Sequence, residues 1–446
     1  MKNFRVITND GKLFYIYENN YWNEVSFHML KKMFRKLFSS YEPDKWNGKV
    51  QYAYLDSFTL EAPDVSDLEK SLNYINVQNG LLNIDTMKLG KHNRNIFTTV
   101  QLPIDYDPTA KCPTFEYFLD DVFQGDTELI MLAQEILGYC IGNSVQAQKL
   151  FILLGDGANG KSLFCNVAIA LCGEENTSSI SLRKLSQQFA KAALVDKLLN
   201  VSTENEMTGD SLNTEDIKAI SAGDLITVER KYHDPYQTRL HVKLLYAVNR
   251  MPYSKDNTYA ITRRLIILPF DKTYVESNPN ANQGQIDLTL EGRIMGELSG
   301  ILNYALEGLQ RLKANNYVFT RAQKSVGVLE EYKIEINPFL DFVNTCIEPA
   351  DSNSKKQDDR EIEIGTLLCG FKEWCYYCNH KKLQETSLKR LLKEVRITLK
   401  SLNMPFSERK SSGNQYFTGI RFTKELRSSL VSADALERNK RFRLHK

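Results

Sequence analysis

Residues 155–162 read Gly-Asp-Gly-Ala-Asn-Gly-Lys-Ser, a GxxxxGKS pattern. Gly155, Gly157 and Gly160 let the backbone fold tightly around phosphate oxygens. The N–H groups of such a loop, with the start of a following helix, supply partial positive charge. Lys161 would reach the β- and γ-phosphates of a nucleoside triphosphate, and Ser162 would hold Mg²⁺. The expected nucleotide-binding set is therefore Gly155, Asp156, Gly157, Ala158, Asn159, Gly160, Lys161, Ser162 and Leu163. A surface loop can match the pattern by chance, but the flanks argue against chance here. The apolar run Leu150-Phe151-Ile152-Leu153-Leu154 predicts a buried strand before the loop, and a helix is expected from Ser162 to about Cys172, stopped by Gly173.

Four further groups follow within about 110 residues. Leu198–Ser202 reads as a second core strand ending in Thr203-Glu204-Asn205-Glu206. An acidic residue there can hold Mg²⁺ and orient the attacking water. Glu204 is the first choice and Glu206 the second. A third strand, Val242–Val248, ends in Asn249, whose amide would touch the γ-phosphate or the water. Arg263-Arg264 then precede the apolar run Leu265–Leu268. They are surface charges or arginine fingers; the latter neutralise charge on a transferring phosphoryl group. Between the second and third strands, Ile226–Pro235 reads as a β-hairpin with the tip Arg230-Lys231-Tyr232-His233. Cations beside aromatic rings suit a single nucleic-acid strand, Lys231 on phosphate and Tyr232 or His233 against sugar or base.

The elements that must position these groups alternate strand and helix over 149–275, an α/β pattern. Residues 1–110 mix short β-like runs with turns, among them Asn79-Gly80. Helical spacing marks 113–147 through Phe115, Phe118, Leu119 and Val122, and 285–332 through Ile301, Leu302, Ala305, Leu306 and Leu309. Asn337-Pro338 marks a boundary.

At 446 residues and 42% apolar content the chain has room for several cores. No apolar run is long enough for a membrane span, and no signal peptide opens the chain. A soluble cytoplasmic protein is expected, with its eight cysteines reduced. Cys375-x-x-Cys378, with Cys369 and His380 near, is half a zinc pattern. No second ligand pair completes it, and the helical spacing of 371–378 favours core thiols. The net charge of +2 conceals an asymmetry: residues 381–446 carry 17 Lys/Arg against 6 Asp/Glu, leaving the rest at −9. A basic end on an acidic body suits an anionic polymer. Within it, Ser387–Lys400 has an apolar face opposed by Arg390, Lys393 and Arg396, as a DNA-reading helix would. Residues 407–417 read as a hairpin with Arg409 and Lys410 at a polar tip.

The ordered set of a GxxxxGKS loop, acidic strand end, basic hairpin, strand ending in Asn and Arg-Arg pair resembles the superfamily 3 DNA helicases. It looks most like the phage, plasmid and poxvirus primase-helicase branch, helicase part only, found on mobile elements. The resemblance implies an AAA+-type P-loop ATPase core with an N-terminal α+β and helical region and a C-terminal winged-helix domain. Expected domains are an N-terminal α+β domain at 1–110, a helical collar at 111–148, the ATPase at 149–332, and a winged helix with a basic tail at 333–446. It implies ATP and Mg²⁺ at Lys161 and Ser162, with Glu204 on the metal side. It also implies a sensor at Asn249, a finger at Arg263 or Arg264, Lys231 on DNA, and a homo-hexameric ring moving on single-stranded or forked DNA. Two departures stand out: Tyr232 follows Lys231 where papillomavirus- and polyomavirus-type relatives place His, and Asn205 splits the acidic motif. Residues 1–110 show no convincing cluster of acidic metal ligands for primase chemistry, so a primase or polymerase is expected as a separate partner. The rivals are an ATP-gated initiator or loader that does not translocate, and a small-molecule P-loop kinase.

Overall fold

The computed structural model describes residues 6–9, 13–41, 47–203, 214–232, 234–252, 259–280, 283–351, 353–354 and 356–431. The chain divides into two compact units, Met1–Lys255 with Arg263–Leu329, and Asp256–Thr262 with Glu330–Lys446.

The first unit is organised by a five-stranded parallel sheet. Its strands are β1 (Leu150–Leu154), β2 (Thr177–Ser178), β3 (Leu199–Ser202), β4 (Lys243–Val248) and β5 (Leu265–Pro269). The order across the sheet is β2-β3-β4-β1-β5. The central strands are apolar almost throughout because both faces are covered, the condition that removes period-two alternation. The loop strand β1 is sandwiched, Leu150 opposite Leu244 on one side and Leu265 on the other. The helix α1 (Lys161–Cys172) follows it and ends at Gly173, whose φ of 92° suits glycine.

Helices Thr127–Ile141 and Leu298–Ala314 pack on this sheet and on each other. Their axes approach closely because Gly138 and Gly308 sit at the contact: a Cβ at either would overlap backbone atoms of the opposite helix. Buried Glu135 fastens the pair. It takes a hydrogen bond from Arg311 Nε at 2.8 Å and from the Thr320 backbone N–H at 2.7 Å.

Before these helices lie two antiparallel sheets, Val6–Asn9 with Leu13–Glu18 and Tyr21–Val25, and Tyr74–Val77 with Gly80–Asn83 and Lys88–Gly90. The turn expected at Asn79-Gly80 falls one residue earlier, on Gln78-Asn79. Val77 pairs with Gly80, which is already in the strand. The side chain of Asn79 is spent on Tyr106, exchanging two 3.0 Å hydrogen bonds with its backbone.

The second unit has three main helices, Pro338–Cys346, Ile364–Tyr377 and Leu388–Ser401. Beside them is a three-stranded antiparallel sheet of Glu361–Glu363, Asn414–Thr418 and Ser407–Ser411. The hairpin turns at Ser412 and Gly413, both with positive φ, as the tight two-residue turns of hairpins require. Cys375 is buried in this core and Cys378 is exposed at the helix end, so the core-thiol reading holds for the first cysteine only. Among the described residues no group of three or more His, Cys, Asp or Glu is arranged to hold a metal. Among them, too, no helix is long and apolar enough to cross a membrane.

Several buried polar residues break the apolar pattern, among them a lysine of the sheet. Lys243, first in β4, is buried, donates to the carbonyl of Gly142 and lies 5.7 Å from the Tyr139 ring centroid. Burial pulls its ammonium from 10.5 down to about 8. Between those pH values the unfolded chain holds a proton that the folded chain has released, so this group's contribution to stability rises with pH across the window. Urea unfolding of wild type and Lys243→Met should show wild type gaining roughly 3 kcal/mol relative to the variant from about pH 7 to about pH 10.5. A pH-independent difference would mean that Lys243 titrates normally.

Candidate functional site

The glycine-rich loop leaves the C-terminal end of β1 and is tied to both neighbouring strands. Gly155 N–H donates to Val248 O at 3.2 Å, and Phe270 N–H to Leu154 O at 2.7 Å. A Cβ at Gly155 would overlap the amide of Asn159 and the carbonyl of Phe270, so only glycine fits. Asn159 is buried and braces the loop from inside, donating to Phe270 O at 3.1 Å. Gly157 and Gly160 take φ of 106° and 88°, and Ala158 is held at a positive φ of 44°. Ala158 O accepts from Tyr274 N–H at 2.7 Å, and Tyr274 in turn donates to Asp121 at 2.6 Å.

Lys161 is buried at the loop's centre. Its Nζ donates to Gly155 O at 2.6 Å and Asn159 Oδ1 at 2.9 Å. Burial holds its pKa below the ordinary lysine value, with Asp156 acting the other way. A desolvated ammonium bound by neutral oxygens is prepared for an anion. Gly160 caps α1 in the left-handed region without a side-chain cap. The first bond into the helix is donated by Phe164 N–H to Gly160 O, so the N–H groups of Lys161, Ser162 and Leu163 precede it. Exposed Ser162 stands at this end. A collar of ammonium and amide N–H groups could hold phosphate oxygens, and the Ser162 hydroxyl could hold a Mg²⁺ ion beside them.

The parallel sheet brings the ends of β3 and β4 to the same edge as this loop. Asn249, exposed, follows Val248 directly. The chain leaves β3 after Ser202 toward Glu204 and Glu206, which lie outside the described residues. The arginines are at the opposite edge. They precede β5, whose first residue Leu265 faces Leu150, the first of β1. A five-residue strand, about 16 Å long, separates that edge from the loop. Arg264 is buried and its backbone O accepts from Leu150 N–H at 2.8 Å, whereas Arg263 is exposed and its guanidinium reaches Gln148 at 3.1 Å. Lys149 adds a third cation, its Nζ 2.6 Å from Arg263 O. Burial and then the two arginines lower its pKa.

The hairpin is formed by Leu225–Val228 and Tyr236–Arg239, paired in antiparallel register with Val228 opposite Tyr236. Lys231 and Tyr232 are exposed at its tip, Tyr232 with a φ of 64°; His233 lies outside the described residues. Sequence reading missed Phe189. It lines one hollow with Glu229, Lys231, Tyr232 and Pro235, and Gln188 donates to Glu229 at 2.9 Å. Nothing local in the sequence marks Phe189, since its neighbours at the tip are about 40 residues on.

In the second unit the cationic residues expected on DNA divide into two groups. Arg390, Lys393 and Lys410 are exposed. Arg396 is engaged with Glu408 at 2.6 and 2.8 Å, and Arg409 grips Glu361 through two contacts, one at 2.7 Å. Glu361 and Glu408 are each held below the ordinary carboxylate value, first by these hydrogen bonds.

Against known proteins, residues 1–124 match the sequence family described as D5 N terminal like. Residues 153–264, from the loop strand to the Arg pair, match a family of unknown function (DUF5906). By fold, the chain is similar to the A-form apo structure of the NrS-1 C-terminal region. That likeness has a TM-score of 0.52 at 13% identity and covers 94% of this chain and 96% of that one. By sequence, it is 21% identical over 255 residues to "Putative helicase L207/L206" of Acanthamoeba polyphaga mimivirus, covering 54% of this chain. It is also 27% identical over 96 residues, 22% of this chain, to "Uncharacterized mitochondrial protein ymf21" of Marchantia polymorpha. The chain spans 26% of the mimivirus protein and 53% of the Marchantia protein. Together these matches relate the chain by sequence to a viral protein named as a putative helicase and, over its N-terminal part, to the D5-type family.

The loop geometry makes a direct prediction. Gly155→Ala forces Asn159 off Phe270 and removes an oxygen partner of Lys161. Binding of a fluorescent ATP analogue should fall at least about tenfold, a loss of about 1.4 kcal/mol, while the fold persists. Binding equal to wild type would show that the loop tolerates the side chain and does not depend on this brace.

Proposed function

We propose that the chain is an ATP-dependent DNA helicase serving replication of a phage, plasmid or other mobile element. In this reading Gly155–Leu163 would hold ATP, with Lys161 on the β- and γ-phosphates. Ser162 and Glu204 would hold Mg²⁺, which when bound neutralises charge on the transferring phosphoryl group. Glu204 or Glu206 orients water, and Asn249 lies beside the loop to sense the γ-phosphate. The five-strand order and the α1 helix fit an AAA+-type P-loop core. The three helices and hairpin of the second unit fit a winged helix, with Arg390, Lys393 and Lys410 exposed for phosphate contacts. Homology to a protein named as a helicase and the D5-type N-terminal match support a replication helicase-like role.

The observation that carries this reading is that the loop and Arg263 occupy opposite edges of one sheet. Arg263 is too far from its own loop to act as a finger there, and its exposure suits a neighbour's nucleotide. Buried Arg264 is the poorer candidate. A site shared between subunits requires an assembly, for which a homo-hexameric ring is our proposal. Lys231, with Tyr232 and Phe189 beside it and His233 two residues on in sequence, would then hold the DNA strand.

Mixing tests the shared site. Lys161→Ala and Arg263→Ala proteins should each lose DNA-stimulated ATP hydrolysis, the finger variant by ~10³ or more. A mixture should recover part of the activity, because some interfaces then pair an intact loop with an intact arginine. Absence of recovery, with mixed assembly verified, would place both groups in one subunit's site. Lys231→Ala should keep basal hydrolysis and lose unwinding of a forked substrate. Hydrolysis stimulated by DNA with no unwinding by the wild-type protein on any fork would favour the initiator or loader.

A further inference from the structure

The hairpin tip carries two adjacent cations that sequence alone treats alike, and the fold separates them. Lys231 points to solvent, whereas Arg230 turns to the N-terminal sheet. Its two terminal nitrogens grip the two oxygens of Glu24, on Tyr21–Val25, one of them at 2.9 Å. The guanidinium also lies 5.4 Å from the ring centroid of Tyr236, the residue paired with Val228 across the hairpin. Fork-to-fork pairing of this kind fixes orientation as well as distance, which a lysine cannot do.

A second carboxylate belongs to the cluster. Asp196, three residues before β3, has its pKa pushed up to about 6 by burial and then by Glu24, with Thr99, Arg230 and Lys197 opposing. Tyr15, opposite Glu24 in the sheet, completes the surroundings. On the other flank Gln188 bonds Glu229, and Lys191 pairs with Asp216 at 2.7 Å on the helix that leads into the hairpin. The base of the tip is thus held from two sides, and Lys231 and Tyr232 project beyond the holds.

We propose that Arg230, anchored by Glu24, is the positioning residue for Lys231, setting the height of the DNA-holding hairpin against the N-terminal sheet. The role assigned to Lys231 rests on the helicase reading above; the anchor itself does not. The N-terminal domain is then the fixed point from which the hairpin is presented to DNA. Because Asp196 leads into β3, the same cluster borders the strand that runs toward Glu204.

Glu24→Gln, Arg230→Gln and the exchanged pair Glu24→Arg with Arg230→Glu test this in the full chain. Each single variant should raise by about tenfold the DNA concentration needed for half-maximal ATPase stimulation, the loss of about one charge-assisted contact. Basal hydrolysis without DNA should stay at the wild-type level. The exchanged pair should recover a substantial part of the loss, which a merely structural effect would not give. Hydrogen–deuterium exchange, read without DNA or nucleotide, should be faster over 225–239 in the single variants and unchanged over 150–154 and 243–248. Unchanged exchange at the hairpin overturns the anchor. Faster exchange with unchanged DNA dependence overturns its role in placing Lys231. A wild-type chain that neither hydrolyses ATP nor binds DNA overturns the helicase reading on its own readout.

Discussion

The arrangement depends on the burial of β1 between β4 and β5. Five consecutive apolar residues with no exposed face can be satisfied only as a central parallel strand, and that placement fixes the remaining geometry. The C-terminal end of β1 must release the chain into a loop between two strand ends, where Val248 O and Phe270 N–H secure it. The same register sends Arg263 and Arg264 to the other edge. The glycine-rich loop and the arginine pair are thus separated by the strand itself, so a finger acting at this loop would have to come from another copy.

The loop is also a case of local strain supported from outside. Ala158 is held in the left-handed region and Gly160 is packed against Phe118 and Val122 of the helix Pro113–Val122. That helix is capped by Glu297, whose carboxylate accepts from the backbone of Thr114 at 3.0 Å and its hydroxyl at 2.6 Å, 183 residues away in sequence. The glycine-rich loop is therefore braced by elements on both sides of it in the chain. Strained backbone persists only where its surroundings over-determine it.

What could be read from sequence follows from the range of the interactions involved. The loop, its strand and α1 were legible because glycines, a Lys-Ser pair and an apolar run act over neighbouring residues. The hairpin was legible from its strands and its charged tip. The strand order was not, since it is fixed by pairings between segments about 20 to 115 residues apart. Nor was the division of labour at the tip: Arg230 and Lys231 are equivalent as letters, and only Glu24, 206 residues away, distinguishes them. Lys243 was silent for the same reason. A lysine at the start of an apolar run reads as the exposed end of a strand, yet Lys243 is buried against Tyr139 and Gly142 at the end of helix Thr127–Ile141.

The same logic revises the meaning of basic charge in the C-terminal unit. A count of 17 cations against 6 anions suggests a broad field for an anionic polymer. Two of the arginines, Arg396 and Arg409, are held by carboxylates of the sheet and hairpin, and each also lies over an aromatic ring, of Phe417 and Tyr416. Their fixed forks suit them to hold the hairpin against the helix Leu388–Ser401 and against Glu361–Glu363. The lysines at 389, 393, 400 and 410 keep flexible stems and exposed ammonium groups. Arg396 and Arg409 here give the surface its shape, and the exposed lysines give it its outward charge. A DNA partner would therefore meet a preformed hairpin and helix whose positions are set before binding, so little ordering cost remains to be met on association.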